Sequence, residues 1–316
     1  MESIKKELED AHLIGITGHL RPDGDCVGSS LGLYNYMLAN MPDKEVDIYL
    51  EPAEDCFSFL KNFHKIKHNN SENKQYDVFI VLDCGDLERV AVFVRDYVKN
   101  AKKTICIDHH LTNLQFGDVN HVMPHISSAS EVLYELLDEK LVTKDVAECL
   151  YTGMVHDTGV FKYQSTTSRT MAIAGKLMDT GIDFTSIIDD TFFRKSYEQN
   201  LLMGEAVASS VLLLDGKMIY SYISQEMLNK YGLTGRDTGG IIDQLRFTQG
   251  VEVAVFMYEL PENKTKTSLR SVKYVDVNAI ANEFGGGGHI RAAGFTSELS
   301  YKEIVDRLEE LIEKVI

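Results

Sequence analysis

Short apolar runs alternate with longer stretches of helical periodicity through the first half of the chain. The runs are rich in β-branched residues and predict strands; they are LIGIT (13–17), EVDIYL (45–50), DVFIVLD (77–83) and KTICID (103–108). The stretches between them, among them CVGSSLGLYNYMLANM and LERVAVFVRDYVKN, repeat apolar residues at helical spacing. This alternation predicts an α/β fold in which a parallel sheet is covered by helices on both faces.

The pattern changes twice in the second half. From Ser127 to about Ser210 it is mostly helical, and VLLLDGKMIYSYI then predicts a hairpin with an Asp-Gly turn. Further short apolar runs follow, which indicates a second, smaller α/β domain. We predict an N-terminal domain over 1–190, a helical connector over 191–210 and a C-terminal domain over 211–316, with a cleft between the two domains.

Length and charge limit the classes of partner. The chain has 316 residues, 44% of them hydrophobic, which is enough for two domains. A net charge of -16 opposes binding along a long nucleic-acid duplex, because such binding depends on lysine and arginine. No apolar run could span a bilayer, and the charged start MESIKKELEDAH does not resemble a signal peptide. We therefore expect a cytoplasmic protein without a membrane partner, and a homodimer is one assembly that the sequence leaves open.

The five cysteines are scattered without CxxC pairing, so we expect reduced thiols rather than a disulfide framework. A zinc ligand among them is disfavoured, because no second cysteine lies within finger spacing.

Polar motifs follow the predicted strands, where parallel sheets collect their ligands. The first, GHLRPDGD, offers His19, Asp23 and Asp25 between a strand and a helix. Two carboxylates at positions i and i+2 could each bind one ion of a two-metal centre. Capping of the following helix is the alternative, but it needs one aspartate only, and the histidine and the second aspartate favour metal ligation.

Three further motifs add carboxylates and imidazoles. Asp83 closes an apolar strand, where an unpaired carboxylate is costly unless it meets a cation, and it could bridge two metals. Asp108, His109 and His110 end another strand, and side-chain alternation predicts that one histidine is a ligand and the other a neighbour. Asp157 follows at a predicted helix end. Each of these residues, taken alone, is more often structural than functional. Their joint placement at the ends of strands and helices favours a metal site.

The ligand types narrow the choice of ion. Carboxylates and imidazoles without thiolates suit manganese, magnesium or zinc, and an oxygen-rich site favours manganese. Two such ions would make an acidic pocket attractive to phosphate.

Near the C-terminus, NEFGGGGHIRAAGF places four glycines, Gly285 to Gly288, before His289. Glycines allow the backbone to approach a ligand closely and to point N–H groups at an anion. A helix C-cap with a tight turn is the alternative, but it needs only one or two glycines. Arg270 lies in a predicted strand and shares a face with Ser268, where a single arginine is more often solvated than functional.

Taken in order, HLRPDGDCVGSS, VLDCGD, DHH, HDTG and FGGGGHIRAAG resemble the DHH phosphoesterase superfamily with its DHH-associated C-terminal domain. The resemblance spans Gly18 to Gly294, and the motifs are specific in combination. It implies a catalytic metal-binding N-terminal domain and a substrate-binding C-terminal domain. Cys26 stands where the family often has alanine, and we expect no effect of this difference on metal ligation.

The resemblance also implies a role for each motif residue. One metal ion is held by His19, Asp23 and Asp83, and a second by Asp25, Asp83, His109 and Asp157. His110, Asp108 and Asp83 are the implied catalytic set, with His110 facing the substrate phosphate and Asp108 orienting the histidines. The implied substrate-binding residues are Arg270, His289, Gly286, Gly287, Gly288 and Arg21.

Within the superfamily the chain looks most like the bacterial nanoRNase/pAp phosphatases, which implies manganese-dependent hydrolysis of short RNA, of 3′-phosphoadenosine 5′-phosphate (pAp), or of both. A phosphodiesterase that acts on cyclic di-AMP or pApA shares every motif and stays open. A pyrophosphatase is less favoured, because its C-terminal part lacks the GGGGH run. A nucleotide-binding module without catalysis is disfavoured by the full metal set.

Overall fold

The computed structural model describes residues 4–71 and 74–316. By the distribution of contacts, the chain divides into two compact units, Met1–Arg194 and Lys195–Ile316. Among the described residues, no helix is long and apolar enough to cross a membrane.

The first unit is built on a parallel sheet of five strands in the order β2-β1-β3-β4-β5. The strands are β1 (Leu13–Thr17), β2 (Glu45–Tyr49), β3 (Val78–Leu82), β4 (Lys103–Asp108) and β5 (Val119–Val122). The four predicted strands are present with bounds within one residue. Because β2 and β3 lie on opposite sides of β1, the strand order reverses between β1 and β3, and this switch point is where open α/β sheets bind ligands.

Helices cover both faces of this sheet. They are α1 (Ile4–Glu7), α2 (Gly24–Asn40), α3 (Val92–Asn100), α4 (Ala129–Leu136), α5 (Lys144–Asp157), α6 (Ser168–Asp179) and α7 (Phe184–Ile188). Helices α2, α4, α5 and α6 share one apolar core with β1, β3 and β4. Helix α3 packs on the opposite face.

The crossing of α2 with α5 is unusually close because glycines lie at the contact. A Cβ on Gly28 would lie 2.5 Å from the carbonyl oxygen of Cys149 and 2.8 Å from the backbone nitrogen of Gly153. This close approach brings the start of α2 beside the end of α5, which are the segments that carry Asp25 and Asp157.

The second unit has a six-stranded mixed sheet in the order β10-β11-β9-β8-β7-β6. The strands are β6 (Val211–Leu213), β7 (Met218–Ile223), β8 (Val253–Leu260), β9 (Lys264–Ser271), β10 (Gly287–His289) and β11 (Ala292–Ser297). The β6–β7 pair is the predicted hairpin, and β7–β8 is parallel while the other pairs are antiparallel.

Helices pack on both faces of the second sheet as well. They are α8 (Tyr197–Ala208), α9 (Gln225–Lys230), α10 (Ile241–Arg246), α11 (Val277–Asn282) and α12 (Tyr301–Glu313). One core joins the sheet to α11 and α12, and the other joins it to α8, α9 and α10. The predicted fold class, a parallel N-terminal sheet followed by a smaller α/β unit, is confirmed.

Candidate metal centre

His19 follows β1 at the switch point, and its ring is oriented by the backbone. Nδ1 lies 2.8 Å from the carbonyl oxygen of Leu20, which can only accept, so Nδ1 carries a proton and Nε2 faces the cluster. Nε2 lies 3.5 Å from Oδ1 of Asp23 and 3.3 Å from Oδ2 of Asp83. Burial lowers the pKa of His19, but these two carboxylates outweigh it and raise the pKa to about 10.

Asp23, the cap of α2, and Asp25, in its first turn, take different partners. Asp23 caps α2, because its Oδ1 accepts from the backbone N–H groups of Asp25 and Cys26 at 3.1 Å each. The capping alternative is therefore present for Asp23, together with its contact to His19. Asp25 is fully buried, and its two oxygens accept from the N–H groups of Ala129 (2.6 Å) and Ser130 (3.0 Å) at the start of α4.

Asp83 lies between His19 on one side of the cluster and His109 on the other. Its backbone is left-handed, with φ of 53°, which turns the chain sharply at the end of β3. Oδ2 faces His19, while Oδ1 lies 3.5 Å from Nε2 of His109 and 3.7 Å from Nδ1 of His110. Oδ1 is buried and receives no hydrogen bond from any described residue. Such an orphaned oxygen fits a bound cation.

The two histidines after β4 take different partners. Nε2 of His109 lies 3.0 Å from Oδ2 of Asp157, at the end of α5. Burial lowers the pKa of His109, but Asp157 and then Asp83 raise it to about 12. Nδ1 of His110 lies 2.8 Å from Oδ1 of Asp108, which as a carboxylate accepts, so Nδ1 donates to Asp108.

Asn113 was not anticipated from the sequence, and the structure places it behind Asp108. Its amide nitrogen donates to Oδ2 of Asp108 and, at 3.3 Å, to the carbonyl oxygen of Cys84. Asp108 is thus held on both oxygens, by Asn113 and His110. The only sequence signal was an amide side chain three residues after the histidine pair.

If Asp108 orients His110 for catalysis, as the family resemblance implies, Asn113→Ala should lower kcat by about 10–100-fold. Metal content should stay near the wild-type value, because Asp108, which Asn113 holds, is not among the metal ligands that the family resemblance implies. Kinetics with metal analysis of the same samples checks this result. Asn120→Ala is the control, because the side chain of Asn120 bonds to Gly117, away from the cluster, in the part of the chain that the structure describes. Equal losses in both variants would point to general destabilisation.

Neighbouring motif residues stay outside the cluster. His156 is packed against the Phe57 ring and bonded through Nε2 to Oγ1 of Thr191 at 2.9 Å, and burial lowers its pKa to about 4. Asp86 caps a short turn by accepting from the N–H of Glu88. Arg21 is exposed, and its backbone N–H donates to Glu51.

The assembled side chains fit divalent metal ions. Ligand atoms of residues 4–71 and 74–316 fall into three close groups, of which one joins Asp25, His109 and Asp157 and another joins Asp83 with the residues of the DHH motif. Burial, and then the charges of neighbouring carboxylates, raise the pKa of both Asp25 and Asp157. Carboxylates crowded in this way are compensated best by cations, and oxygen with imidazole ligands suits manganese, magnesium or zinc.

Gly153 on α5 makes room for this arrangement. A Cβ there would lie 2.0 Å from Oγ of Ser130 and 2.5 Å from Oδ1 of Asp25. We expect Gly153→Ala to destabilise the protein by about 1–3 kcal/mol and to weaken metal binding, because α4 and Asp25 must shift. Denaturant unfolding and metal titration measure the two effects.

Gly175→Ala in α6 is the matched control for Gly153→Ala. A Cβ on Gly175 would meet no atom of the described residues within 4 Å, so the change should be neutral or stabilise by about 0.5–1 kcal/mol. A Gly153→Ala variant that behaves like this control would contradict the steric argument.

In the second unit, Arg270 and His289 share one face of the sheet. Both lie in register with Ala292 of β11, Arg270 on β9 and His289 on β10. Residues paired across antiparallel strands point to the same side, so the two side chains flank a small alanine. This is the face opposite to α11 and α12, since the alternate residues Leu269 and Ala293 enter that core.

The glycine run is partly a strand rather than wholly a loop. Gly285 has φ of 71° after α11, and Gly287 to His289 form β10. Gly286 lies so close to β11 that a Cβ would be 2.3 Å from the carbonyl oxygen of Gly294. Arg291, adjacent to this run, bonds to the carbonyl oxygen of Val275 at 2.8 Å and is structural.

The protein has an α/β fold with a cluster of carboxylates and imidazoles at the switch point of its sheet. This cluster could bind divalent metal ions. The chain matches the DHH family, N-terminal domain, over residues 13–154 and the DHHA1 domain over residues 215–316. It belongs to the DHH family. The expected class of enzyme, a hydrolase of phosphate esters, is confirmed with this membership.

Several related proteins align with most of this chain. The probable bifunctional oligoribonuclease and PAP phosphatase NrnA of Streptococcus mutans is 29% identical over 98% of this chain and 97% of its own length. The corresponding Bacillus subtilis protein is 30% identical over 87% of this chain and 86% of its own. An exopolyphosphatase-related protein from Bacteroides fragilis has a TM-score of 0.90 and 30% identity, covering 98% of this chain and 94% of that one.

Proposed function

We propose that this protein is a manganese-dependent phosphoesterase that hydrolyses short RNA oligonucleotides, pAp, or both, by a two-metal mechanism. The observation that carries the proposal is the buried Asp83 carboxylate, which lies between His19 and His109 and keeps one oxygen without a hydrogen bond from the described residues. The relatives named as oligoribonuclease and PAP phosphatase support the substrate class.

In this proposal Asp83 would contribute to both of two metal positions. His19 and Asp23 would complete the first position, and Asp25, His109 and Asp157 would complete the second. When bound, the two ions would activate a water and neutralise the charge that develops on the phosphate. Burial, and then the charges of neighbouring carboxylates, raise the pKa of both Asp25 and Asp157. A bound cation would favour the charged form of both groups, which supports this assignment.

The chain's own residues would position the substrate. Nδ1 of His110 is fixed by Asp108, so its Nε2 is free to contact a phosphate oxygen. Arg270 and His289 of the second unit would bind another phosphate or the base end of the nucleotide, with Gly286 to Gly288 allowing close approach of the backbone.

A substrate panel tests the proposal. The purified protein with manganese is assayed against pAp, pApA, cyclic di-AMP, pyrophosphate and RNA of two to five nucleotides, and we expect the fastest turnover with pAp or the RNA. Faster turnover of cyclic di-AMP or pApA would assign the chain to the dinucleotide phosphodiesterases instead. Tight nucleotide binding without product would replace the enzyme with a binding module.

A further inference from the structure

The start of α4 holds Asp25, a ligand of the second metal position in the proposed function. The N–H groups of the first two residues of this helix, Ala129 and Ser130, donate to the two oxygens of Asp25 at 2.6 and 3.0 Å. A carboxylate is also favoured at this end of a helix by the helix dipole. The orientation of Asp25 therefore depends on where the first turn of α4 lies.

Glu131, in the same turn, joins the start of α4 to a second helix. The residue is only 1% exposed. Its Oε2 accepts from the backbone N–H of Ser127 at 3.3 Å and from the hydroxyl of Ser127 at 2.5 Å, just before the helix begins. The same oxygen accepts from the hydroxyl of Thr170, on α6, at 2.9 Å. One oxygen atom thus fixes the entry to α4 against α6.

This arrangement differs from an ordinary helix cap. In a capping box, the side chain of the third helical residue bonds back to the N–H of the N-cap residue, which here is Ser128. Oγ of Ser128 does accept from the N–H of Glu131 at 3.0 Å, but the Glu131 carboxylate bonds to Ser127 and across to α6 instead. An exposed glutamate could cap a helix without the cost of burying a charge. The buried position of Glu131 therefore indicates a role beyond capping.

We propose that Glu131 is a positioning residue of the second metal position, because it fixes the turn of α4 that holds Asp25. Glu131 itself belongs to none of the ligand groups found among the described residues. Without it, the first turn of α4 could move relative to α6, and Asp25 would leave the close group that its ligand atom forms with His109 and Asp157. This inference rests on the proposed two-metal centre.

Calorimetric titration of the full-length protein with manganese tests this role. Glu131→Met keeps a side chain of similar length but removes the acceptor oxygen, and it should weaken the binding of one ion by about 10–100-fold while the other binds as in wild type. The manganese concentration that gives half-maximal turnover should rise in parallel, whereas kcat at saturating manganese should stay near the wild-type value. Glu131→Gln can place its amide oxygen where Oε2 lies, so this variant should bind both ions nearly as wild type does.

Glu135→Met is the matched control on the same helix. Glu135 also joins α4 to α6, through Arg169, but it lies one turn further from Asp25. This variant loses a contact between the same two helices and should bind both ions with wild-type affinity.

Two more variants complete the experiment. Asp157→Asn removes a proposed ligand of the second position alone, so it identifies the ion that Glu131→Met should weaken. Thr170→Val removes one hydrogen bond to Glu131 and should weaken the same ion to a smaller extent, which tests the proposal even if Glu131→Met does not fold.

Unchanged manganese binding in Glu131→Met and Thr170→Val, equal weakening of both ions, or an equal loss in Glu135→Met would overturn the role of Glu131. A loss in Glu131→Gln as large as that in Glu131→Met would overturn it too, because the role depends on the acceptor oxygen. Failure of the wild-type protein to bind manganese would instead overturn the proposed metal centre itself.

Discussion

Asp83→Asn should lose binding of both metal ions by about 100-fold or more and lower turnover of short RNA and pAp on the order of 10³-fold. Asp83 is the one residue of the described cluster that lies between His19 and His109. Its replacement therefore removes a ligand from both proposed positions at once. Asparagine is the suitable substitute because the residue has φ of 53°, a conformation that asparagine tolerates and alanine does not.

The measurements for Asp83→Asn are metal content after dialysis and turnover at saturating manganese. Asp86→Asn is the matched control from the same loop, because the Asp86 carboxylate caps the following turn and belongs to none of the ligand groups found among the described residues. That control should keep metal content and turnover near wild type. Wild-type turnover in Asp83→Asn would disprove the two-metal proposal.

Arg270→Ala should raise KM for pAp and short RNA by about 10–100-fold and leave both metals in place. The size of this increase in KM follows from the loss of one charge-assisted hydrogen bond to phosphate, which contributes about 1.5–3 kcal/mol. Arg270 is half-buried on β9, and its Nη1 reaches only the carbonyl oxygen of the preceding residue among the bonds described. Steady-state kinetics and metal analysis of the same preparation separate the two outcomes.

Arg307→Ala is the control for Arg270→Ala. Arg307 lies on α12, which packs on the other face of the second sheet, and it bonds to the carbonyl oxygen of Glu283. The KM of the Arg307→Ala variant should stay near the wild-type value. Loss of metal from Arg270→Ala would place the arginine in the metal centre instead and refute its substrate role.

The strands of the first sheet were predictable because burial on both faces makes them continuous apolar runs. All five residues of β3 are buried, and its sequence VFIVL contains no polar position. Strand β5 was not predicted, because its sequence VNHV is half-exposed at the edge of the sheet and mixes polar with apolar residues. The opposite edge strand, β2, was predicted, because four of its five residues are buried.

The residues of the candidate site were predictable where they belong to short sequence motifs. The positions of His19, Asp83 and His109 follow from strands that end at one edge of a parallel sheet. The contact of Asp25 with the start of α4 was not predictable, because it joins residues 104 positions apart through the fold. The strand formed by part of the glycine run was also missed, since β10 exists only through its pairing with β11.

The close crossing of α2 and α5 has a consequence for synthesis of the protein. The residues it brings together, Asp25 and Asp157, are separated by most of the first unit, and a ribosome adds roughly 5–20 residues per second. About ten seconds therefore pass between the emergence of the first acidic motif and that of its last partner. Of the two proposed metal positions, the one formed by His19, Asp23 and Asp83 would have its ligands once β3 has emerged, whereas the one that needs Asp157 would be completed only near the end of the first unit.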